Sequence, residues 1–574
     1  MLPLVTEDDV GAWGSPVAVL VGDRTFQRYA VGSPSALTVV DTSKGVDTVR
    51  SIEGRLRPRW VLWSADPALR PFVAAGIRPA RSWDIAEAHR VLHGGWRADA
   101  GTAWAGAHGI PLDQVPPPPT GDLFEFAADT GERGELVRAD GHLRPDAVHG
   151  TWLETDDRLI AWARAALVTA LRQREQAAAL GPRVIGTIAS ESAAALLCVD
   201  LAHDGLPLDR PRIEALIEEA AGPRPQSVAD EVAARAHRDK AVLDLVPGRE
   251  GTDLRNPAAV KALLHGVGVE VPNTRKWVLE DQRAVHPVVG ALLDWRKRER
   301  IATTYGHRWL AEHVGADDRL RGSWTACDGA GGRMTADNGL HNLPAALRPG
   351  VAAHLGQVLV RADLGQIEPR VLAVVSGDRT FAEATRADDL YAPVAVRLGV
   401  ERPIAKVAVL AAMYGQRSGA AGEALAGLER AYPVAMRLLD DAYAVGVRGG
   451  DLRTFGGRLI PTGRFLRGVP IGTDPALDAA RGRFARNAII QGAAAELFKA
   501  WAATVRALGA PLGAQIVLCL HDELLVHAPA ERAAEVAAVV DQALADASRR
   551  WSGGAPVRFV ADTSVIERWS DAKG

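Results

Sequence analysis

The chain has 574 residues, 47 % hydrophobic and 24 % charged, which is enough apolar material for several folded domains rather than one. Its 67 Lys and Arg against 70 Asp and Glu give a formal net charge of −3, which by itself points to no nucleic-acid partner but averages over faces and says little about any one cleft. The three cysteines, Cys198, Cys327 and Cys519, lie far apart with no CxxC pair, so neither a zinc site nor a disulfide framework is suggested and a reducing interior is expected.

The N-terminus lacks a basic stretch followed by an apolar run, and no apolar window is read as reaching ~18 residues, so neither secretion nor membrane spanning is expected and the chain is placed in the cytoplasm. From Met1 to about Pro182, short apolar runs at Val17–Val21, Leu37–Val40 and Trp60–Trp63 read as strands, followed by a helix over Asp84–Leu92. This is a small α/β domain. Pro116 to Pro119 and the polar, Gly-bearing stretch Gly121–Gly141 predict an exposed, poorly ordered insertion near 111–145.

Helical periodicity dominates from Val184 to Arg319. Ile188–Leu201 predicts a helix, Asn256-Pro257 starts another, and His286–Tyr305 joins an apolar stripe to Arg296, Lys297, Arg298 and Arg300. A run like this is usually a solvated helix face, but it also suits a surface that tracks phosphates. A basic loop then carries Gly332-Arg333-Met334-Thr335 and Asn338-Gly339-Leu340-His341-Asn342-Leu343-Pro344.

Within Gln357–Leu372, Val358 and Val360 alternate with Leu359 and Arg361 like a strand, which then ends on an acid, Asp363. Taken alone, such an Asp is most often a turn former. Far downstream, Gln515–Val526 reads as two apolar strands joined by the polar corner His521-Asp522-Glu523, a β-hairpin with acids at its tip. Two strand-end acids can share a metal pair, and nucleotidyl transfer uses two Mg²⁺ ions about 3.5–4 Å apart. Between them, Glu401–Gly415 reads as a helix on which Arg402, Lys406, Leu410 and Tyr414 fall within roughly 120° of one another, with Pro403 in its first turn. Arg483, Asn487 and Gln491 recur every four residues on a helix too apolar around them for full exposure.

These segments resemble family A DNA polymerases, the DNA polymerase I group. Asp363-Leu364-Gly365-Gln366-Ile367-Glu368-Pro369-Arg370 is similar to motif A, DYSQIELR, and Leu520-His521-Asp522-Glu523 to motif C, VHDE. Glu401–Gly415 is similar to motif B, RRxxKxxNFGxxYG, with Val409 and Leu410 where Asn and Phe are usual. The Gly332–Pro344 loop resembles TGRLSS…PNLQNIP, one residue shorter and with His341 in place of Gln. Thr454–Pro461 resembles TxxGRRRxLP, and Arg483–Gly492 fits R-x3-N-x3-Q-G. Val557–Ala561 and Glu567–Lys573 resemble the closing strand and tail.

The resemblance implies an α/β, multi-domain right-hand polymerase on a Klenow-type large-fragment plan without a 5′ nuclease domain. Its parts would be a 3′ to 5′ exonuclease-like domain over 1–183, thumb over 184–320, palm over 321–378 and 471–574, and fingers over 379–470. By resemblance Asp363, the Leu364 carbonyl and Asp522 hold two Mg²⁺ ions, with Mn²⁺ as a substitute and Glu523 in support. Gln366, Glu368, Arg402, Lys406, Leu410 and Tyr414 meet the nucleotide, with Lys406 also stabilising departing pyrophosphate. Arg333, Asn342, Arg483, Asn487, Gln491 and His521 meet DNA. Glu368 is the gate against a 2′ hydroxyl, and Leu410 in place of a ring leaves slack at the sugar. No Asp-x-Glu stands in the first 180 or so residues, so proofreading is not expected. The implied partners are primer-template DNA and deoxynucleoside triphosphates, for a monomer at the nucleoid. The rival readings are a non-catalytic DNA-binding protein on the same fold and a single-subunit RNA polymerase.

Overall fold

The computed structural model describes residues 5–11, 13–95, 97–117, 135–415, 420–465 and 469–572. Pro118, Pro119 and residues 120–134, about half of the expected insertion, lie outside the described residues.

Near the N-terminus, five strands form a sheet in the order β3-β2-β1-β4-β5. They are β1 (Val17–Gly22), β2 (Arg28–Gly32), β3 (Leu37–Asp41), β4 (Arg59–Leu62) and β5 (Arg81–Asp84). β1 is antiparallel to β2 and parallel to β4, so the chain makes a three-strand meander and then crosses over through helix Thr42–Leu56. β1 is central and buried from Val17 to Val21, which explains its unbroken apolar run. β2 and β5 were not read from the sequence. Each is only four or five residues long, and β5 (Arg-Ser-Trp-Asp) has no apolar alternation to betray it.

A second sheet has the order Gln515–Leu520, Glu523–Pro529, Gln357–Leu364, Ala561–Ile566. The first two strands pair antiparallel with Leu520 opposite Glu523, leaving His521 and Asp522 as a two-residue turn. The closing strand, expected over Val557–Ala561, runs instead over Ala561–Ile566. A 35-residue helix, Pro475–Gly509, starts where the Asp474 side chain accepts from Ala476 N. It packs closely on helix Pro433–Val447: a Cβ on Gly446 would lie 2.5 Å from the Ala485 methyl.

By contacts the chain divides into two units. One comprises Met1–Asp204, Ser323–Ala336 and Val360–Val565; the other comprises Gly205–Gly322, Asp337–Leu359 and Ile566–Gly574. Helix Pro182–Asp204 falls within the first unit. Buried charge fastens it there. Glu191 is fully buried and pairs with Lys499 and with Arg458 at 2.7 Å, while Asp200 pairs with Arg506 at 2.6 Å and Arg78 at 2.8 Å. The same helix corrects the hydropathy reading: it contains an 18-residue window of mean hydropathy 1.6. That window is 72 % buried inside the fold, so it is accounted for as a core helix.

Candidate active site

Asp363 ends the strand Gln357–Leu364, and Asp522 forms the hairpin turn beside it. Leu364 N donates to the Asp522 carbonyl at 2.9 Å, so the two strand-end acids are joined through backbone although 159 positions apart in sequence. His521 adopts φ 55°, in the left-handed region that non-glycine residues rarely enter, and this turn is what presents Asp522. Burial pushes the Asp363 carboxyl up to about 6, the nearby Asp522 adds to this, and Arg361 pulls the other way. Asp522 is also raised, by burial first and then by Glu523 and Glu368 against its own backbone N–H and Arg333. Repelling, half-buried carboxylates are a site that a cation relieves.

Oxygen donors of this kind fit Mg²⁺ or Mn²⁺. Among the described residues no cluster of three or more His, Cys, Asp or Glu is arranged as a complete metal cage. Two carboxylates and a carbonyl suit an ion that keeps waters or takes substrate phosphates as its remaining ligands.

Arg361 is the residue the sequence reading passed over. It is buried, with Nε on Glu523 Oε1 at 2.7 Å, Nη2 on Asp363 Oδ2 at 2.7 Å and Nη1 on Asp562 Oδ2 at 3.2 Å. A charged residue in an apolar strand, two positions before an acid and therefore on its face, was the available signal. Glu523, expected to support the site, is buried and held through this guanidinium.

A second cluster surrounds Glu368. Its Oε1 accepts from Arg333 Nη2 at 2.8 Å and its Oε2 from Tyr414 OH at 3.4 Å. With the Gln491 amide turned as its hydrogen bonding demands, Gln491 Oε1 accepts from Arg333 Nη1 at 2.7 Å. The Asn487 and Gln491 amides are 3.3 Å apart. Arg333, Glu368, Tyr414 and Gln491 thus form one connected polar network, with Asn487 beside Gln491. Arg483 is exposed one helical turn before Asn487, with its side-chain carbons 3.2 Å from where Gly415 would carry a Cβ. His521 is exposed at the turn; burial and then Arg333 lower its pKa.

The helix Arg402–Tyr414 turns Arg402, Lys406 and Tyr414 outward and buries Ala405, Ala408, Val409 and Ala412. Leu410 is half-buried at the edge of the outward face. Gly415, at φ 72°, ends the helix with its N–H on the Ala411 carbonyl. Arg402 is forked onto Asp389, with Nη2 3.2 Å from Oδ1, and lies 5.8 Å from the Tyr391 ring centre. Gln366, at φ 50°, uses its side-chain oxygen to accept from Leu390 N at 3.1 Å and Arg370 at 3.3 Å, so that oxygen braces the loop beside the helix. Arg370 is fully buried and donates to the carbonyls of Gly365, Thr385, Ala387, Asp388 and Arg558. Asp389, Arg370 and Arg486, which donates to the Ala412 carbonyl and to Asp440, set this region's geometry and were not singled out from sequence.

Asn342 belongs to the second unit. Its carbonyl accepts from Tyr305 OH at 2.7 Å and Arg300 Nη2 at 2.8 Å, which pins the loop to the basic helix Pro287–Thr304.

The family model for DNA polymerase family A matches residues 260–440 and 454–571, more than half of the chain. The chain belongs to DNA polymerase family A. Relatives in that family include a thermostable DNA polymerase I of Thermus thermophilus, 30 % identical over 332 residues that are 52 % of this chain and 38 % of the relative. DNA polymerase I of Chloroflexus aurantiacus is 31 % identical over 317 residues, 50 % of this chain and 32 % of the relative. The chain thus spans about a third to two fifths of the length of these relatives. Among solved structures, the POL domain of Pol1 from M. smegmatis, in complex with DNA primer-template and dNTP, aligns over 99 % of both chains with TM-score 0.68 and 20 % identity. That likeness gives a family A polymerase-domain fold.

Proposed function

We propose that the chain is a template-directed DNA polymerase that adds deoxynucleotides to a primer 3′ hydroxyl by two-metal nucleotidyl transfer. The observation that carries this reading is the junction of the two strand-end acids through the Leu364–Asp522 backbone bond. On this reading Asp363, Asp522 and the Leu364 carbonyl hold two Mg²⁺ or Mn²⁺ ions, which would activate the primer hydroxyl and neutralise leaving pyrophosphate. Arg402 exchanges Asp389 for triphosphate oxygens, and Lys406, exposed four residues on, stabilises the departing phosphates. Tyr414 closes the site near the template base. Glu368, already fixed by Arg333 and Tyr414, crowds the sugar 2′ position and favours a DNA over an RNA product. Arg333, Gln491 and Asn487 face the minor groove, where purine N3 and pyrimidine O2 accept hydrogen bonds in every correct pair.

In domain terms, residues 1–183 form an exonuclease-like domain without proofreading chemistry, 184–320 the thumb, 321–378 and 471–574 the palm, and 379–470 the fingers. The basic helix Pro287–Thr304 tracks duplex phosphates, so binding weakens as salt rises. Primer extension on a DNA template, with deoxy- and ribonucleotides in parallel, separates the readings. Deoxynucleotide addition supports this one, ribonucleotide preference an RNA polymerase, and DNA binding without extension a non-catalytic protein.

A further inference from the structure

The strand carrying Asp363 lies between the strand carrying Glu523 and the strand carrying Asp562. A side chain two positions before Asp363 shares its face and can reach both neighbours. Arg361 does so: one guanidinium spans three carboxylates on three strands, at 2.7, 2.7 and 3.2 Å. Arg361 and Glu523 are buried, at 8 % and 6 % exposure, whereas the Asp562 side chain is 72 % exposed. The strongest of these contacts are therefore inside the acidic site.

We propose that Arg361, anchored on Glu523, is a tethered cation that competes with divalent ions for Asp363, and so sets how weakly the protein holds metal before nucleotide arrives. The inference rests on the two-metal reading of Asp363 and Asp522. Arg361 occupies Oδ2 of Asp363 and leaves Oδ1 for another ligand, so it orients the carboxylate as well as offsetting its charge. A fixed unit charge a few ångströms from a divalent ion repels it even in water-like surroundings, enough to change affinity on the order of tenfold. The triphosphate brings several negative charges, which would outweigh one guanidinium and draw the ions in together with substrate. Arg361 acts through Asp363 and Glu523 and is a positioning residue.

The test is Mn²⁺ titration of the intact protein, without nucleotide or DNA, followed by electron paramagnetic resonance, with thermal melts to establish the folded fraction. Arg361→Gln keeps hydrogen-bond donors and removes the charge, and should tighten Mn²⁺ binding roughly tenfold. Arg361→Lys keeps the charge and should stay within about twofold of wild type. Should the Gln variant not fold, Arg361→Met, an unbranched apolar chain of similar length, carries the same expectation. Unchanged or weaker Mn²⁺ binding in a folded charge-free variant overturns the proposal and leaves Arg361 as strand scaffolding. Asp363→Asn and Asp522→Asn run alongside. If both lose Mn²⁺ binding while the Arg361 variants do not move, Arg361 alone was misassigned; if both retain it, the two-metal reading itself fails.

Discussion

Two aspartates at strand ends, one buried and one half-buried, look alike in their titration until their partners are compared. Asp84 ends β5 in the N-terminal sheet and Asp363 ends a strand of the second sheet. Burial raises both, Asp84 to about 7 with Glu87 adding to it, Asp363 to about 6 with Asp522 adding to it. A raised pKa therefore does not distinguish them. Their oxygens do. Asp84 Oδ2 accepts from Ala65 N at 2.7 Å and Oδ1 from Glu87 N at 3.0 Å, so both are consumed in capping backbone. Asp363 engages a guanidinium through Oδ2 and sits against a second acid. The first arrangement holds a fold together, and the second leaves a carboxylate able to change partner.

Substituting both acids gives the sharpest test. Asp363→Asn or Asp522→Asn should lower primer extension by about 10³-fold or more, the several kcal/mol expected of lost metal stabilisation, while DNA affinity changes little. Single-turnover extension beside a binding titration measures both. Near-normal turnover in either variant would remove the metal assignment. Asp84→Ala should do the reverse: stability falls by roughly 1–3 kcal/mol as two backbone donors lose their acceptor, and extension per folded molecule is unchanged. Chemical denaturation checks the first half, and a rate loss at Asp84 comparable to that at Asp363 would erase the distinction.

The contrast also shows what could be read from sequence. Asp363 and Asp522 were legible because a strand end and a hairpin tip are local patterns, each written within a dozen residues. The face of Arg402, Lys406 and Tyr414 was legible for the same reason, since helical spacing is short-range. Arg361 was not, because its partners Glu523 and Asp562 lie 162 and 201 positions away and depend on which strands become neighbours. Asp389 was missed since an acid 13 residues before Arg402 has no periodic relation to it. Strand β5 is too short and too polar to show a period, and nothing local in helix Pro182–Asp204 marks Glu191 and Asp200 as buried, because their partners Lys499 and Arg506 lie 308 and 306 positions away.

Glu368 stands between the two kinds of acid. Both of its oxygens are engaged, but by the side chains of Arg333 and Tyr414 rather than by backbone. If it is the sugar gate, a ribonucleotide leaves a hydroxyl poorly paired, and Glu368→Ala should narrow discrimination by about 5- to 150-fold, or roughly 1–3 kcal/mol. An unchanged ratio in competing incorporation of deoxy- and ribonucleotides would make Glu368 a purely structural acid like Asp84. Leu410 should contribute less. Its half-buried side chain lacks a ring, so Leu410→Phe should raise discrimination within the roughly 1–3 kcal/mol that one or two methylenes supply, given room for the ring. Equal ratios would leave sugar choice to Glu368 alone.

The smallest expected effect is none at all, and it concerns the N-terminal sheet. Exonucleolytic trimming on two metals needs paired acids free to bind them, and β1 offers only Val, Ala, Leu and Gly. The acids nearby are otherwise occupied: Asp23 accepts from Thr25 N and Gln27 N at 3.1 Å, Asp41 from Lys44 N at 2.9 Å, and Asp66 is forked onto Arg70. Among the described residues, Asp84 is spent on its own cap and Asp41, at the end of β3, caps the following helix through Oδ1, and neither strand end stands against a second acid across the sheet as Asp363 stands against Asp522. A primer with a mismatched 3′ end, incubated with Mg²⁺ and no nucleotide, should therefore keep its full length. The control is Asp363→Asn, which suppresses any reversal of the polymerase reaction by pyrophosphate. Metal-dependent shortening that persists in that variant and disappears in a folded Asp84→Asn protein would mean that a fully capped, buried acid can still release its backbone donors for a metal, and the distinction drawn from hydrogen-bond partners would fail.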